Sequence, residues 1–276
     1  MARREWDDIT RTKREEARAH HHTVEEGEIQ EDEQEDAAAG MAADATKQLP
    51  DDEKERLREQ RIRQLLRLRA ETYRDMQRLP RGCIPIATDG GYTAANNDPK
   101  RGQLTPVDIA GWGVSVRKSV AEYEVETACA CGAVFTGESA EGRQLPGFVG
   151  ALEVNAHVAE LNGLAQALMF IIANPGCYAI LCDCLNALRN VQSQATVDKN
   201  IAITEVCRDL LARAREQSTV NFIKVKGHLH EELAKVGVSD EDLAPGETYK
   251  DLGNVRADEL ATRAMWSGEH SGFTLR

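Results

Sequence analysis

Hydrophobic positions along the chain change their spacing several times, and each change marks an element. Residues 83–88 form a short continuous apolar run, as a buried strand does, ending at Asp89-Gly90-Gly91. Residues 111–118 alternate apolar and polar, and residues 126–135 do so less cleanly, which predicts two more strands. In residues 155–174, Val158, Leu161, Leu164, Leu168 and Ile171 recur at helical spacing, and Pro175-Gly176 closes the run. Residues 178–182 predict a fourth strand ending at Asp183, residues 201–216 a helix, residues 220–225 a fifth strand and residues 254–266 a closing helix. The order β-β-β-α-β-α-β-α predicts a mixed α/β domain: three antiparallel strands, then strands joined by helical crossovers.

Ahead of this domain the texture differs. Residues 1–50 lack sustained periodicity and carry an acidic run from Glu25 to Asp36, so they have too little apolar surface to offset the entropy of ordering and are expected to be a disordered acidic tail. The triplet His20-His21-His22 reads as part of that polar tail. Residues 51–80 begin with Asp51 and Asp52, repeat Leu57, Ile62, Leu65, Leu66, Tyr73, Met76 and Leu79 at helical spacing, and stop at Pro80-Arg81-Gly82. Seven arginines, Arg67 and Arg74 among them, occupy the other faces. Two compatible readings are open for this amphipathic helix: docking on the following domain or a protein partner, or a basic arm that touches phosphates.

Net charge is −12, against bulk positive charge as the means of holding nucleic acid. The distribution is uneven: residues 1–50 hold 7 basic and 14 acidic residues, residues 51–82 hold 10 and 7, and the remainder 17 and 25. Only the middle segment is basic. No stretch of the sequence is read as the ~18 consecutive apolar residues of a membrane span, so no membrane role is expected. The start lacks the apolar core of a secretory signal. Seven cysteines scattered through apolar segments predict a reduced, intracellular protein, cytoplasmic or nuclear. Cys129 with Cys131 and Cys182 with Cys184 fit a core better than a zinc site, and Trp112 and Trp266 read as core residues.

Two predicted strands end in aspartates, Asp89 and Asp183; Glu160 borders the apolar face of one helix, and Asp258 lies in another. Carboxylates beyond the carboxyl ends of parallel strands stand where open α/β sheets build their sites. Four that converged would repel one another, and two hard divalent cations would relieve that repulsion. A turn-forming role for each aspartate is the plain alternative.

Six segments in order resemble the type 1 ribonuclease H domain, its retroelement-associated kind included: Ile86-Ala87-Thr88-Asp89-Gly90-Gly91, Ala110-Gly111-Trp112-Gly113-Val114, Asn155-Ala156-His157-Val158-Ala159-Glu160-Leu161, Leu181-Cys182-Asp183-Cys184-Leu185-Asn186-Ala187-Leu188, Val225-Lys226-Gly227-His228 and Asn254-Val255-Arg256-Ala257-Asp258-Glu259-Leu260-Ala261. The resemblance covers residues 82–266, and the domain is assigned to residues 82–276. It implies a five-stranded mixed sheet of order 3-2-1-4-5 flanked by helices, and cleavage of the RNA strand of RNA–DNA hybrids by two Mg²⁺ ions, or Mn²⁺ in their place. By matching positions, it also implies that Asp89, Glu160, Asp183 and Asp258 bind metal and that His228 assists catalysis. Gly90 and Asn155 are the substrate-contact candidates in this domain, and Arg67 and Arg74 in the helix before it.

The sequence departs from the family in three places. The usual Asn four residues before the catalytic Glu is Ala156, the common Gln two residues after the third acid is Leu185, and 29 residues separate His228 from Asp258. The last difference is an acid-rich insertion, residues 229–253, expected to cover the site or reposition His228. A non-catalytic nucleic-acid or protein-binding module on the same fold, derived from a mobile element, is the alternative function. An integrase or transposase relative fits the Gly-His and Ala-Asp-Glu-Leu segments less well.

Overall fold

The computed structural model describes residues 50–78, 80–95, 105, 107–120, 123–136, 148–197, 199–238 and 253–275. The acidic tail with its histidine triplet, the side chains of Tyr73, Met76, Leu79 and His230, and residues 239–252 of the insertion lie outside the described residues.

Helix α1 spans Asp51–Gln77. Strands β1 (Ile84–Thr93), β2 (Ile109–Val120) and β3 (Tyr123–Ala133) follow, then helix α2 (Ala156–Ala173) and strand β4 (Cys177–Cys182). Next come α3 (Leu185–Val191), α4 (Ile201–Gln217), β5 (Thr219–Lys224), α5 (Leu229–Lys235), α6 (Asn254–Ser267) and β6 (His270–Leu275). The strands form one sheet of order β5-β4-β1-β2-β3-β6, which contains the expected 3-2-1-4-5 arrangement and adds β6 outside β3. β1, β2, β3 and β6 pair antiparallel, whereas β1–β4 and β4–β5 are parallel. The expected elements are present. The periodicity left out α3, α5 and β6, each only six or seven residues long.

Strand alternation sends the two faces of the sheet to different helices. Ile86, Trp112, Val114 and Ile180 belong to the main core with Leu161, Leu164 and Leu168 of α2 and Val206 and Leu210 of α4. Ala87, Ala179, Leu181 and Ile223 face the other way and pack with Ala257 of α6. Trp112 is fully buried, as expected. Trp266 is not: it stands at the end of α6 with 40% of its surface exposed, past the part of the helix that rests on the sheet. Cys129 and Cys131 lie together under Leu260 and Ala264, so alternation makes them core residues. α2 is long and apolar enough to cross a membrane, contrary to the sequence reading, but 72% of it is buried inside this domain as a core helix. The parallel register of β1 with β4 sets Cys83 beside Cys177, and the two form a disulfide where free thiols were expected; Cys129, Cys131, Cys182, Cys184 and Cys207 are thiols outside any disulfide.

α1 is docked. Leu65 is fully buried and packs with Leu229 and Leu233 of α5. Arg61 pairs with Glu232, and Arg58 Nε donates to the Val236 carbonyl at 2.8 Å. Many remaining charges pair along the helix itself: Arg58 with Glu55, Arg63 with Glu59, Arg67 and Arg74 both with Glu71, and Arg78 with Asp75. Such exposed pairs contribute only ~0.2–1 kcal/mol each. The buried leucines therefore do more to hold the helix down.

Glycines decide how closely the helices approach the sheet. Gly111 and Gly113 flank Trp112 and face α6, so closely that a Cβ at Gly113 would overlap the Ala257 carbonyl oxygen and one at Gly111 that of Ala261. On the other face, a Cβ at Gly90 would collide with the backbone of Ala159 and Glu160 in α2. Gly113→Ala should thus destabilise the protein by about 1–3 kcal/mol in denaturant unfolding, as overpacking does. Gly272→Ala, where nothing lies within 4 Å, serves as the near-neutral control.

Candidate active site

The pocket lies where the parallel part of the sheet ends. β1 and β4 pair only as far as Ala87 and Leu181. β4 then stops at Cys182, directly before Asp183, while β1 continues to Thr93 because β2 pairs with it throughout. Asp89 is thus inside a strand, opposite Gly113 in β2, and not beyond a strand end as the sequence suggested. The distinction matters for rigidity, since a residue held in a paired strand has little freedom to move.

α2 brings Glu160 over the same point. Asn155 caps this helix, its side-chain oxygen accepting from Val158 N at 2.8 Å while its amide donates to Glu153 at 2.9 Å. Its polar atoms are thus engaged within the protein. Gly90 has two local tasks: its lack of a side chain admits α2, and its N–H donates to Asp89 Oδ1 at 2.8 Å. On the opposite face α6 carries Asp258. That helix is tied to the sheet by Arg256, whose Nε lies 3.3 Å from Glu126 Oε2, the oxygen that also accepts from Ser115 Oγ at 3.0 Å. Gly227 leaves room for Asp183, since a Cβ there would overlap the Asp183 carboxylate. His228 follows in left-handed backbone conformation (φ 50°, ψ 24°), with Nδ1 4.0 Å from Asp258 Oδ2 and 3.9 Å from Glu231 Oε1.

Asp89, Glu160, Asp183, His228 and Asp258 therefore meet in one place from five separate segments. Asp89 and Glu160 keep only 5% and 8% of their surface. Burial, then the charges of Asp183 and Asp258, hold the Asp89 carboxyl well above its ordinary range, opposed by the Gly90 N–H and a hydrogen bond with Glu160. Burial, then Asp183 and Asp89, do the same to Glu160, opposed by Gly90 and the Cys182 thiol. Asp183 is raised mainly by burial, while Lys224 and His228 pull it back. Burial also pushes the Cys182 thiol up, so it remains protonated, with Sγ 3.7 Å from Glu160 Oε2. Cys184 caps α3 through a contact from Ala187 N.

Arg67 and Arg74 both pair with Glu71 along α1, and Arg74 lies 13 residues beyond Arg61, the residue that reaches α5, ~20 Å along the helix at ~1.5 Å per residue. Lys224 and Glu231 are the neighbours that sequence reasoning missed. Lys224 owes its place to the β4–β5 register, which sets it opposite Cys182 beside Asp183. Glu231 owes its place to the turn of α5, and an acid three residues after His228 was the available signal.

A set of four mutually repelling carboxylates, whose buried members have their charged forms disfavoured by burial and by one another, fits hard divalent cations. The sign of the pH effect follows from the raised pKa values. Stability from these carboxyls is fully present below their ordinary range near pH 4 and is lost as pH rises through their higher values in the fold. Asp89→Asn should therefore raise the thermal midpoint in chelator at pH 8, with the gain shrinking towards pH 4. A lowered midpoint at pH 8 would contradict the repulsion.

No protein-family model matches the sequence, and no curated protein matches it. Among solved structures, the chain is similar to LC9-RNase H1, described as a type 1 RNase H with the type 2 active-site motif, with 13% identity over 72% of this chain and 79% of that one and a TM-score of 0.44. It is similar to the N-terminal RNase H domain of rv2228c from Mycobacterium tuberculosis, with 16% identity over 67% and 96% of the chains and a TM-score of 0.39. LC11-RNase H1, isolated from compost by a metagenomic approach and solved with an RNA/DNA hybrid, shares 19% identity over 66% and 96%, with a TM-score of 0.36. At these scores the fold rests on the chain's own topology. With the 3-2-1-4-5 order, three leading antiparallel strands, parallel β4 and β5, and helices on both faces, the domain after α1 has the ribonuclease H-like fold.

Proposed function

We propose that this protein hydrolyses the RNA strand of RNA–DNA hybrids, and the convergence of four carboxylates and one histidine on the end of the parallel sheet carries this reading. Asp89, Glu160, Asp183 and Asp258 would hold two Mg²⁺ ions. When bound, such ions supply an activated water and stabilise charge on the scissile phosphate and the leaving oxygen.

The protein's own groups do the rest. Glu160 and Asp89 are fixed by a helix and a paired strand, so their oxygens do not reorganise as charge develops. His228 turns Nδ1 towards Asp258 and Glu231, which leaves Nε2 to exchange a proton with the substrate's leaving 3′ oxygen or with solvent. Lys224 stands beside Asp183 and offers a phosphate contact that an acidic domain otherwise has in short supply. Gly90, half-buried between Asp89 and α2, is the backbone position of this pocket that would meet a 2′-hydroxyl.

One observation favours a second reading, a module that binds without cutting: Ala156 stands at the usual grip position, and the Asn155 side chain is committed to its cap. A labelled hybrid separates the two. The enzyme reading expects Mg²⁺-dependent cleavage of the RNA strand, reduced at least ~100-fold in Asp89→Asn and ~10²-fold or more in His228→Ala, magnitudes ordinary for loss of a metal carboxylate or of a general acid. Retained hybrid binding with no cleavage at any Mg²⁺ or Mn²⁺ concentration would establish the binding module instead.

A further inference from the structure

We infer that α1 is a positioning element of the active site, holding His228 in place through α5; the inference rests on the proposed reaction and adds Leu65 and Arg61 to the residues on which it depends. His228 adopts a left-handed backbone conformation that a residue with a side chain rarely holds by itself. Such a conformation persists where the surroundings over-determine it. The neighbour that can do so is α5, which begins at the next residue with no side-chain cap from His228.

α5 has only seven residues, too few to be stable without tertiary contacts. Its buried side chains, Leu229 and Leu233, do not join the main core. They form a separate cluster with Leu65, which Leu66, Val236 and Val238 complete, so among the described residues its apolar support comes from α1 and the 229–238 segment. Polar contacts fix the same two pieces, with Arg61 paired to Glu232 and Arg58 donating to the Val236 carbonyl that closes α5. Glu232 is held below its ordinary range, mainly by the hydrogen bond from Arg61. Leu229 is covalently next to His228, whose ring faces Asp258 and Glu231. A shift of α5 on α1 is therefore a shift of His228 against the carboxylates.

This differs from a basic arm. The part of α1 that docks is its apolar stripe together with Arg58 and Arg61, and Arg67 and Arg74 are paired with Glu71 further along. Truncating Leu65 removes the centre of the cluster without touching a carboxylate.

The test uses the full chain as Leu65→Ala and Arg61→Gln, each with and without His228→Ala, and Leu65→Met as the conservative control. Two quantities are read: kcat and KM for hybrid cleavage, and the histidine ring ¹H–¹³C signal that disappears in His228→Ala. Leu65→Ala should lower kcat by about ten-fold, within the cost of a small misplacement, with KM within about two-fold. In the His228→Ala background the same substitution should change kcat less than about two-fold, and Leu65→Met should restore the parent value. The His228 signal should move in Leu65→Ala and in Arg61→Gln, the second serving if the first fails to fold. An equal loss of kcat with and without His228, or an unmoved His228 signal, would overturn the positioning role. If the parent chain cuts no hybrid, the proposed reaction fails, and the His228 signal alone decides whether α1 positions it.

Discussion

Two helices rest on opposite faces of this sheet at backbone contact, and the carboxylate pocket depends on that closeness. α6 lies on Gly111 and Gly113, while α2 lies on Gly90, with no room for a methyl group at any of the three positions. Because Gly113 is the cross-strand partner of Asp89, the place where α6 comes nearest is also the place where β1 carries its acid. Glu160 and Asp258 therefore reach Asp89 from the two sides of one layer. Spacing the helices at an ordinary distance from the sheet would separate the acids by the thickness of an extra side-chain shell.

That arrangement sets stability against chemistry. Burial and mutual repulsion disfavour the charged forms of Asp89, Glu160 and Asp183, and charge on buried groups is costly unless it is paired or bound to metal. The cost is carried by the apolar core beneath them, where Ile86, Trp112, Leu161, Leu164, Leu168 and Ile180 are fully buried. Rules of local consistency are commonly broken at functional sites and compensated elsewhere, and this pocket is such a place. Hydrogen bonds from the Gly90 N–H and the Cys182 thiol, together with the positive charge of Lys224, soften the repulsion without removing it.

Arginine content had left α1 open as a phosphate-binding arm or a docked helix. The structure shows docking, with Leu65 buried and many of the arginines paired to acids three or four residues away. The sequence pattern contained both halves of that answer, since the same helix alternates its acids and bases as an exposed salt-bridged face does. It could not show the partner surface, because Leu229 and Leu233 lie in an insertion whose seven-residue helix is too short for a period to register.

Local periodicity determined the long elements, and the six motif segments pointed to the fold and singled out the four acids and His228 that the structure brings together, because each is written in residues close together in the chain. β6 escaped, since His270-Ser271-Gly272 gives no apolar alternation and only pairing with β3 makes it a strand. The same limit hid the position of Asp89 inside β1, the commitment of Asn155 to its cap, the outward turn of Trp266 and the approach of Lys224 to Asp183. Each of these depends on which distant backbone lies alongside. Sequence spacing carries the period of a single element, whereas register and helix approach arise only when elements from far apart are packed against one another, and it was packing that turned four separate carboxylates into one pocket.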